Sequence, residues 1–143
     1  KELFLGENRG DVYTFARVVI DAGADVVFGH GPHVARAVDL YKGRFIAYSL
    51  GNFATYGRFN LKGEAGLAPL VKLSVDRNGK FLKGMIIPIK QYGNGGPQLD
   101  KKRTVIRKIQ QLTAQDFPDS SLVIHDNGTI KRKIKKKPKS QRS

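Results

Sequence analysis

The chain has 143 residues, enough for one domain, and its 40% hydrophobic content is sufficient for a packed core rather than a disordered segment. It contains no cysteine, which excludes disulfide bonds and thiolate metal sites. It shows neither a signal-peptide pattern nor a run of about 18 apolar residues, the length that a membrane-spanning helix needs. The formal net charge is +14.

Much of this positive charge lies at the C-terminal end. Residues 131–143 read Lys-Arg-Lys-Ile-Lys-Lys-Lys-Pro-Lys-Ser-Gln-Arg-Ser and carry no negative charge. Because like charges at this density repel one another and bury nothing, we predict a disordered basic tail. Such a tail suits an anionic membrane surface, a polyanionic polymer or nucleic acid, or it serves only to solubilise the protein. It has no aromatic residue to stack on bases, which makes nucleic acid the less favoured partner.

The first predicted element in chain order is a helix. Gly10 and Asp11 are typical of a helix start, apolar residues then recur at helical spacing, and Gly23 supplies the stop. We expect no strand before this helix. The apolar run Val-Val-Phe at residues 26–28 then predicts a short buried strand.

Paired β-type runs follow, each pair separated by turn residues. They predict three hairpins, formed by residues 34–41 with 44–50, 70–75 with 81–89, and 122–125 with 129–130. Residues 92–97 predict a connecting loop, and residues 101–112 predict a helix with one apolar face. The pattern indicates an α/β fold with β-hairpins, a C-terminal helix and a small final hairpin.

Two of the three histidines lie in the motif Gly-His-Gly-Pro-His at residues 29–33. This motif follows the first buried strand, at the strand end where open α/β sheets place ligand-binding groups. We interpret His30 and His33 as candidate metal ligands, because neutral imidazole binds zinc, iron, nickel and copper and also joins carboxylates around harder metals. The spacing is a weak signal, and the alternative is a surface turn whose histidines hydrogen-bond their neighbours.

A catalytic metal site uses about three protein ligands, so further candidates are needed. Asp25 begins the first strand and should lie at its opposite end, away from the histidines. Asn52 follows the second apolar run and is a better neighbour, so we interpret it as a candidate catalytic residue. Arg36 is a candidate for binding an anionic substrate group, and the alternative is an exposed strand arginine. We expect the Ser49 hydroxyl to be hydrogen-bonded within a sheet. We interpret His125 as an exposed residue at the end of a strand.

Residues 23–34, followed by Tyr-Lys-Gly at 41–43 and Tyr-Ser-Leu-Gly-Asn-Phe at 48–53, resemble the bacterial capsule-synthesis CapA family. That family is associated with poly-γ-glutamate biosynthesis and has a calcineurin-like metallophosphatase fold. The resemblance is specific over residues 11–53. It continues more weakly through Ile130, including Gln-Asp-Phe at 115–117, so residues 1–130 resemble the C-terminal part of a CapA-like domain. The basic tail has no counterpart.

The resemblance implies part of a layered α/β sandwich of the metallophosphatase type, with metal ligands on loops at strand ends. The family's Gly-His-x-Pro-His motif maps onto residues 29–33, which assigns His30 and His33 to divalent metal ions of unspecified identity. Its Ser-Leu-Gly-Asn-Phe motif maps onto residues 49–53. The family's earlier acidic and Asn/His motifs would precede Lys1, so we expect a piece of a longer protein that by itself hydrolyses phosphoesters weakly or not at all.

The implied function is a part in poly-γ-glutamate capsule biosynthesis or export. The implied partners are the anionic polymer polyglutamate or other capsule-synthesis proteins. The implied location is membrane-associated or at the cell surface, with any anchor upstream. Two alternatives stay open, namely a metal-dependent phosphoesterase and a basic module that binds nucleic acid or a membrane surface. Binding by such a module would depend on the tail and fall steeply with salt.

Overall fold

The computed structural model describes residues 3–4, 7–8, 10–57, 59–93 and 95–133, and these confirm the predicted α/β fold. They form two helices, ten strands and one 3-10 turn at Gly63–Gly66. The elements are β1 Leu3–Phe4, β2 Glu7–Asn8, α1 Val12–Asp21, β3 Val26–Phe28, β4 Val38–Tyr41, β5 Arg44–Ala47, β6 Leu67–Val75, β7 Phe81–Gln91, β8 Pro97–Leu99, α2 Thr104–Asp116, β9 Leu122–Ile124 and β10 Thr129–Arg132.

The expectation that no strand precedes the first helix is wrong. Strands β1 and β2 form an antiparallel pair ahead of α1. Each has only two residues. A run that short cannot show the alternation of apolar and polar residues from which a strand is recognised.

Helix α1 begins where the sequence predicts. The Asp11 carboxylate accepts hydrogen bonds from the backbone N–H groups of Tyr13 (3.0 Å) and Thr14 (3.2 Å), which would otherwise lack partners. The buried face of α1 carries Ala16 and Ile20, and these pack on Ile46 of β5. The helix is thereby attached to one face of the sheet that carries the histidine motif.

That sheet has three strands in the order β3-β5-β4, with β3 parallel and β4 antiparallel to β5. The predicted hairpin between β4 and β5 is confirmed, and its turn residues Lys42 (φ 50°) and Gly43 (φ 80°) both have positive φ. This backbone matches the twist of the flanking strands. The strands are shorter than predicted, but pairing continues past them through a bridge between Ala35 and Leu50.

The larger sheet has the order β6-β7-β10-β9, with β8 added to β7, and all its pairs are antiparallel. The predicted β6–β7 hairpin is confirmed, and it is longer than expected at its open end, where Leu67 pairs with Lys90. The Asp76 carboxylate accepts the N–H groups of Asn78 (2.9 Å) and Lys80 (2.8 Å), which shapes the turn.

Helix α2 covers the core that the two sheets share. Its residues Val105, Ile106 and Ile109 are fully buried, as its apolar periodicity predicts. They belong to one core cluster with Phe45 of the small sheet and Phe81 of the large one. These two rings stack with centroids 5.6 Å apart, so the small sheet is packed directly on the large one.

The final predicted hairpin is also confirmed, and its second strand extends into the segment assigned to the basic tail. Lys131 pairs with Val123 and Arg132 pairs with Leu122. The ordered part of the chain therefore extends past the predicted boundary at residue 130. Residues 134–143 lie outside the described residues, so the disordered tail stays a prediction. None of the described helices has the length and apolar character needed to cross a bilayer.

Asp100 is expected to make the stability of this fold depend on pH. Its carboxylate accepts the N–H groups of Lys102 (3.0 Å) and Thr104 (2.8 Å) at the start of α2. Burial raises the pKa of this carboxyl, but the hydrogen bonds from Thr104 and Lys102 outweigh that effect and hold the pKa below its ordinary value of 3.8. Because the folded pKa is the lower one, this stabilisation is present above about pH 4 and is lost as the pH falls through the folded pKa.

We therefore expect Asp100→Ala to lower the free energy of unfolding by about 1 kcal/mol at neutral pH, as for loss of a helix cap. The difference from the unaltered chain should shrink below about pH 4. Urea denaturation across an acid-to-neutral pH series measures both effects. Asp119→Ala removes an exposed carboxylate and is the matched control. A loss that stayed constant down to the lowest pH would contradict this account.

Candidate metal centre

The histidine motif leaves the small sheet at the end of β3, as predicted, and backbone pairing continues into it. The Gly29 N–H donates to the Ala47 carbonyl oxygen (2.7 Å), and the Leu50 N–H donates to the Gly29 oxygen (3.1 Å). A Cβ atom on Gly29 would lie 2.4 Å from the Tyr48 carbonyl oxygen. Glycine is therefore required here because the neighbouring chain approaches closely, independently of any ligand.

The two histidines differ in their surroundings. His30 is exposed, whereas His33 is half-buried and its ring stacks on Phe59, with centroids 5.3 Å apart and planes 19° apart. His33 has φ 60°, an uncommon backbone conformation for a residue with a side chain. Such a conformation persists where surrounding contacts fix it. The geometry of the turn is thus determined by packing, and the role of both imidazoles as metal ligands stays a prediction.

Asn52 lies next to the histidine turn, as predicted, but its contacts are structural. The side chain is buried, and its amide nitrogen donates to the backbone oxygens of His33 and Ala65, both at 3.0 Å. Asn52 therefore ties the histidine turn to the 3-10 turn that precedes β6. We interpret it as a positioning residue, and its catalytic role stays a prediction.

The neighbouring residues of the second motif also serve the backbone. Ser49 is buried, and its hydroxyl oxygen accepts a hydrogen bond from the Gly51 N–H at 3.2 Å. This agrees with the expectation that the Ser49 hydroxyl is hydrogen-bonded within the fold. Gly51 has φ 65°, and a Cβ atom there would lie 2.8 Å from the Leu67 oxygen. Asp25 is at the far end of β3, where its carboxylate forms an ion pair with Arg44 at 2.6 Å. Asp25 is thus unavailable to the histidine turn.

The described part of the chain does not complete a catalytic metal site. It contains no group of three or more His, Cys, Asp or Glu side chains placed to hold a metal ion. His30 and His33 would supply two ligands, whereas catalytic sites use about three from the protein. The described residues therefore do not by themselves supply the ligands of a catalytic metal ion.

Arg36 lies beside the histidine turn on a groove of about 600 Å³. Arg36 is exposed, while the flanking Ala35 and Ala37 are buried. Its backbone N–H donates to the Ser49 oxygen at 3.1 Å, so the start of this side chain is held in place. Pro32 of the histidine turn also lines the groove, which places Arg36 and the turn on one continuous surface.

An aromatic cluster forms one side of this groove. The Phe117 ring stacks on Tyr13 (6.1 Å between centroids) and on Tyr48 (5.2 Å). The Arg17 guanidinium carbon lies 3.9 Å from the centre of the Tyr13 ring, and its Nη2 pairs with the buried Asp39 carboxylate at 3.3 Å. No spacing in the sequence predicts this cluster. The Gln-Asp-Phe sequence at 115–117, which belongs to the family resemblance, is the signal that points to Phe117.

Tyr48 is neutral at physiological pH in this setting. Burial raises the pKa of its hydroxyl to about 12, and the negative charge of Asp39 acts in the same direction. The nearby positive charge of Arg17 lowers this pKa, but by less. Tyr48 Oη and Arg17 Nε are both buried without a hydrogen-bond partner among the described residues.

Comparison with known proteins places this site in a family. Residues 8–56, which include both histidines, Arg36 and Asn52, match the family described as bacterial capsule synthesis protein PGA_cap. The capsule biosynthesis protein CapA of Bacillus anthracis is 36% identical over 104 residues, covering 70% of this chain and 24% of that protein. Over residues 8–56 the chain is similar to the bacterial capsule-synthesis CapA family. The resemblance stated from the motifs is thus confirmed.

Two further relatives match over shorter stretches. The PGA biosynthesis protein CapA of Bacillus subtilis is 55% identical over 38 residues, which are 27% of this chain and 10% of that protein. A probable polyglutamine synthesis accessory protein of Mycobacterium tuberculosis is 46% identical over 43 residues, 30% of this chain and 11% of that protein. The chain spans about a quarter or less of the length of these relatives.

The positioning role of Asn52 leads to a stability prediction. Asn52→Ala leaves the His33 and Ala65 oxygens without their donor, so we expect the free energy of unfolding to fall by about 1–3 kcal/mol. Urea denaturation measures this loss, and the NMR shifts of the His33 ring report the loosened turn. Asn127→Ala is the control, because Asn127 is exposed and accepts one local N–H from Thr129 (3.0 Å). Equal losses in the two variants would contradict the assigned role.

The incomplete ligand set leads to a prediction about catalysis. We expect the 143-residue chain to hydrolyse a generic phosphoester such as p-nitrophenyl phosphate weakly or not at all with added Mn²⁺ or Zn²⁺. Any residual rate should be compared with those of His30→Ala and of His125→Ala, which alters an exposed histidine on the turn between β9 and β10. Robust turnover that His30→Ala abolishes and His125→Ala leaves unchanged would overturn this expectation.

Proposed function

We propose that the intact protein takes part in the synthesis or export of a poly-γ-glutamate capsule polymer. The observation that carries the proposal is the match of residues 8–56 to the capsule-synthesis family, since this segment contains every candidate site residue. The names of the Bacillus relatives, which concern capsule and PGA biosynthesis, support the same role.

The charge of the chain supports an anionic polymer as the partner. The formal net charge is +14, and Arg36 presents an exposed guanidinium group next to the histidine turn. Guanidinium groups bind carboxylates through paired, charge-assisted hydrogen bonds, and a basic protein attracts a polyanion over longer distances. The function also implies other capsule-synthesis proteins as partners. The basic segment supports an additional contact with an anionic membrane surface, and thus a membrane-associated or cell-surface location.

We further propose that His30 and His33 contribute to a divalent metal site in the intact protein. The support is chemical, because two imidazoles project from one turn whose backbone Asn52 and Gly29 hold in place. Further ligands would have to come from outside the described residues. Metal-dependent phosphoester hydrolysis stays the alternative prediction.

Disruption of the coding gene in the source organism tests the proposed function. We expect the amount of cell-associated glutamate polymer to fall, measured as glutamate released by acid hydrolysis of the polymer fraction. Reintroduction of the intact gene should restore it, and an intact gene carrying Asn127→Ala at an exposed site serves as the matched control for re-expression. An unchanged polymer yield after disruption would contradict the proposal.

A further inference from the structure

We propose that the outward face of the larger sheet binds a soluble polymer of linked phosphate groups. The site is a row of three lysines, Lys72 of β6, Lys83 of β7 and Lys131 of β10, which we call the lysine row. The row is on the larger sheet, whereas the histidine turn is on the smaller one. The inference goes beyond the proposed function and does not rest on it.

The strand register determines which side chains share this face. Gly84 of β7 pairs with Leu73 of β6 and with Ile130 of β10, and these positions face the core. Side chains alternate between the two faces of a strand, so the residues one step further along face outward. Lys83 and Lys131 are such residues, one on each of two neighbouring strands, and both are exposed.

Lys72 completes the row from the third strand. It pairs with Met85, which is two residues beyond Lys83 on β7, and it is exposed as well. Residues directly opposite on neighbouring strands have Cβ atoms about 4.5–5.5 Å apart, and diagonal neighbours are about 7–8 Å apart. Lys83 is thus directly opposite Lys131 and diagonal to Lys72. The lysine row therefore runs across the strands rather than along them.

The positive charges of the row are not balanced by acidic side chains. None of the ion pairs in the described part of the chain includes Lys72, Lys83 or Lys131. The strands β6 to β10 contain no Asp or Glu. Asp76, in the adjoining turn, accepts backbone N–H groups of that turn. Because like charges directly opposite one another in a sheet are destabilising, a bound anion would stabilise this arrangement.

The side chains around the row are hydrogen-bond donors as well. Ser74 pairs with Lys83, and Thr129 precedes Lys131 by two residues on the same face. Neither hydroxyl has a hydrogen-bond partner among the described residues. An ammonium group has three donors and no acceptor, and a hydroxyl can donate too. The face therefore suits a ligand whose polar atoms are acceptors and whose negative charge is repeated.

The kind of cation and its spacing favour linked phosphate groups. Lysine binds phosphate as a compact point charge, whereas arginine supplies the planar fork that suits a carboxylate. Neighbouring strands are about 4.8 Å apart, so successive ammonium groups can meet successive charges of a linear chain that crosses the strands. The row includes no aromatic ring for bases, which disfavours nucleic acid. Met85, between Lys72 and Thr129, is half-buried and presents little surface for insertion into a bilayer.

The positive charge continues around the same end of the sheet. Arg132 and Lys80 both lie over the β4–β5 turn, since a Cβ atom on Gly43 would be 3.1 Å from Arg132 Nη2 and 3.7 Å from Lys80 Cγ. Lys131 also begins the basic segment, in which residues 134–143 add five Lys or Arg and no acidic residue. A polyanion that binds the row therefore stays within a region of positive potential.

Isothermal titration calorimetry of the 143-residue chain with a short linear polyphosphate tests the proposal. We compare two variants that each replace three exposed lysines by glutamine, a row variant (K72Q, K83Q and K131Q) and a control variant (K62Q, K101Q and K102Q). Both lower the formal net charge equally, so long-range attraction falls equally. We expect the row variant to bind at least about tenfold more weakly and the control variant to stay within about threefold of the unaltered chain.

The salt dependence of binding and the thermal stability give two independent readouts. For nucleic acids, the logarithm of the affinity falls with the logarithm of the salt concentration by nearly one for each phosphate contacted. We expect the row variant to reduce this slope by about three and the control variant to preserve it. Circular dichroism melts should show that polyphosphate raises the unfolding temperature of the unaltered chain and of the control variant, but not of the row variant.

The contrary outcomes are distinct from one another. Undetectable binding of polyphosphate, or equal weakening by the row and control variants, would overturn the lysine row as a site, since equal weakening indicates non-specific attraction. Equal or tighter binding of poly-γ-glutamate of matched charge would overturn the selection of phosphate. Binding to vesicles of phosphatidylglycerol and phosphatidylcholine without binding to polyphosphate would overturn the soluble polymer. None of these results alters the polymer yield after gene disruption, which tests the proposed function separately.

Discussion

The burial of Phe45 joins the two halves of this fold. Its ring is fully buried, stacks on Phe81 of the larger sheet and meets Phe28 of β3 edge-on, with centroids 6.4 Å apart. Because β5 is the central strand of the small sheet, fixing Phe45 also fixes the strands on both sides of β5. The histidine turn and the backbone of Arg36 pair with the chain that follows β5. Their positions therefore depend on this one packing contact.

The histidine turn is held by contacts with neighbouring segments of the chain. Gly29 admits the Tyr48 carbonyl oxygen, and Asn52 donates from one side to the turn and from the other to Ala65. A buried amide that satisfies two backbone oxygens resists rearrangement, since leaving such groups unpaired costs about 1–3 kcal/mol each. The family's Gly-His-x-Pro-His and Ser-Leu-Gly-Asn-Phe motifs thus combine residues of two kinds, those that shape the turn and those that face solvent.

The groove beside the histidine turn carries charges of both signs on a strongly basic chain. Arg17 forms an ion pair with Asp39 and lies over the Tyr13 ring, so it supports one side of the aromatic cluster. Arg36 is exposed, and Asp116 lines the same groove. A chain with a net charge of +14 attracts polyanions over a distance.

The sequence by itself determined what depends on neighbours along the chain. The Asp11 cap, the turn residues of the three hairpins and the apolar face of α2 each act within a few residues, so α1, α2 and the hairpins were predictable. The motifs around His30 and Asn52 likewise identified the family. Tertiary structure alone decided the parallel pairing of β3 with β5, the backbone role of Asn52 and the stacking of Phe117 on Tyr48. These contacts join segments distant along the chain, and no local spacing encodes which distant side chain fills a given space.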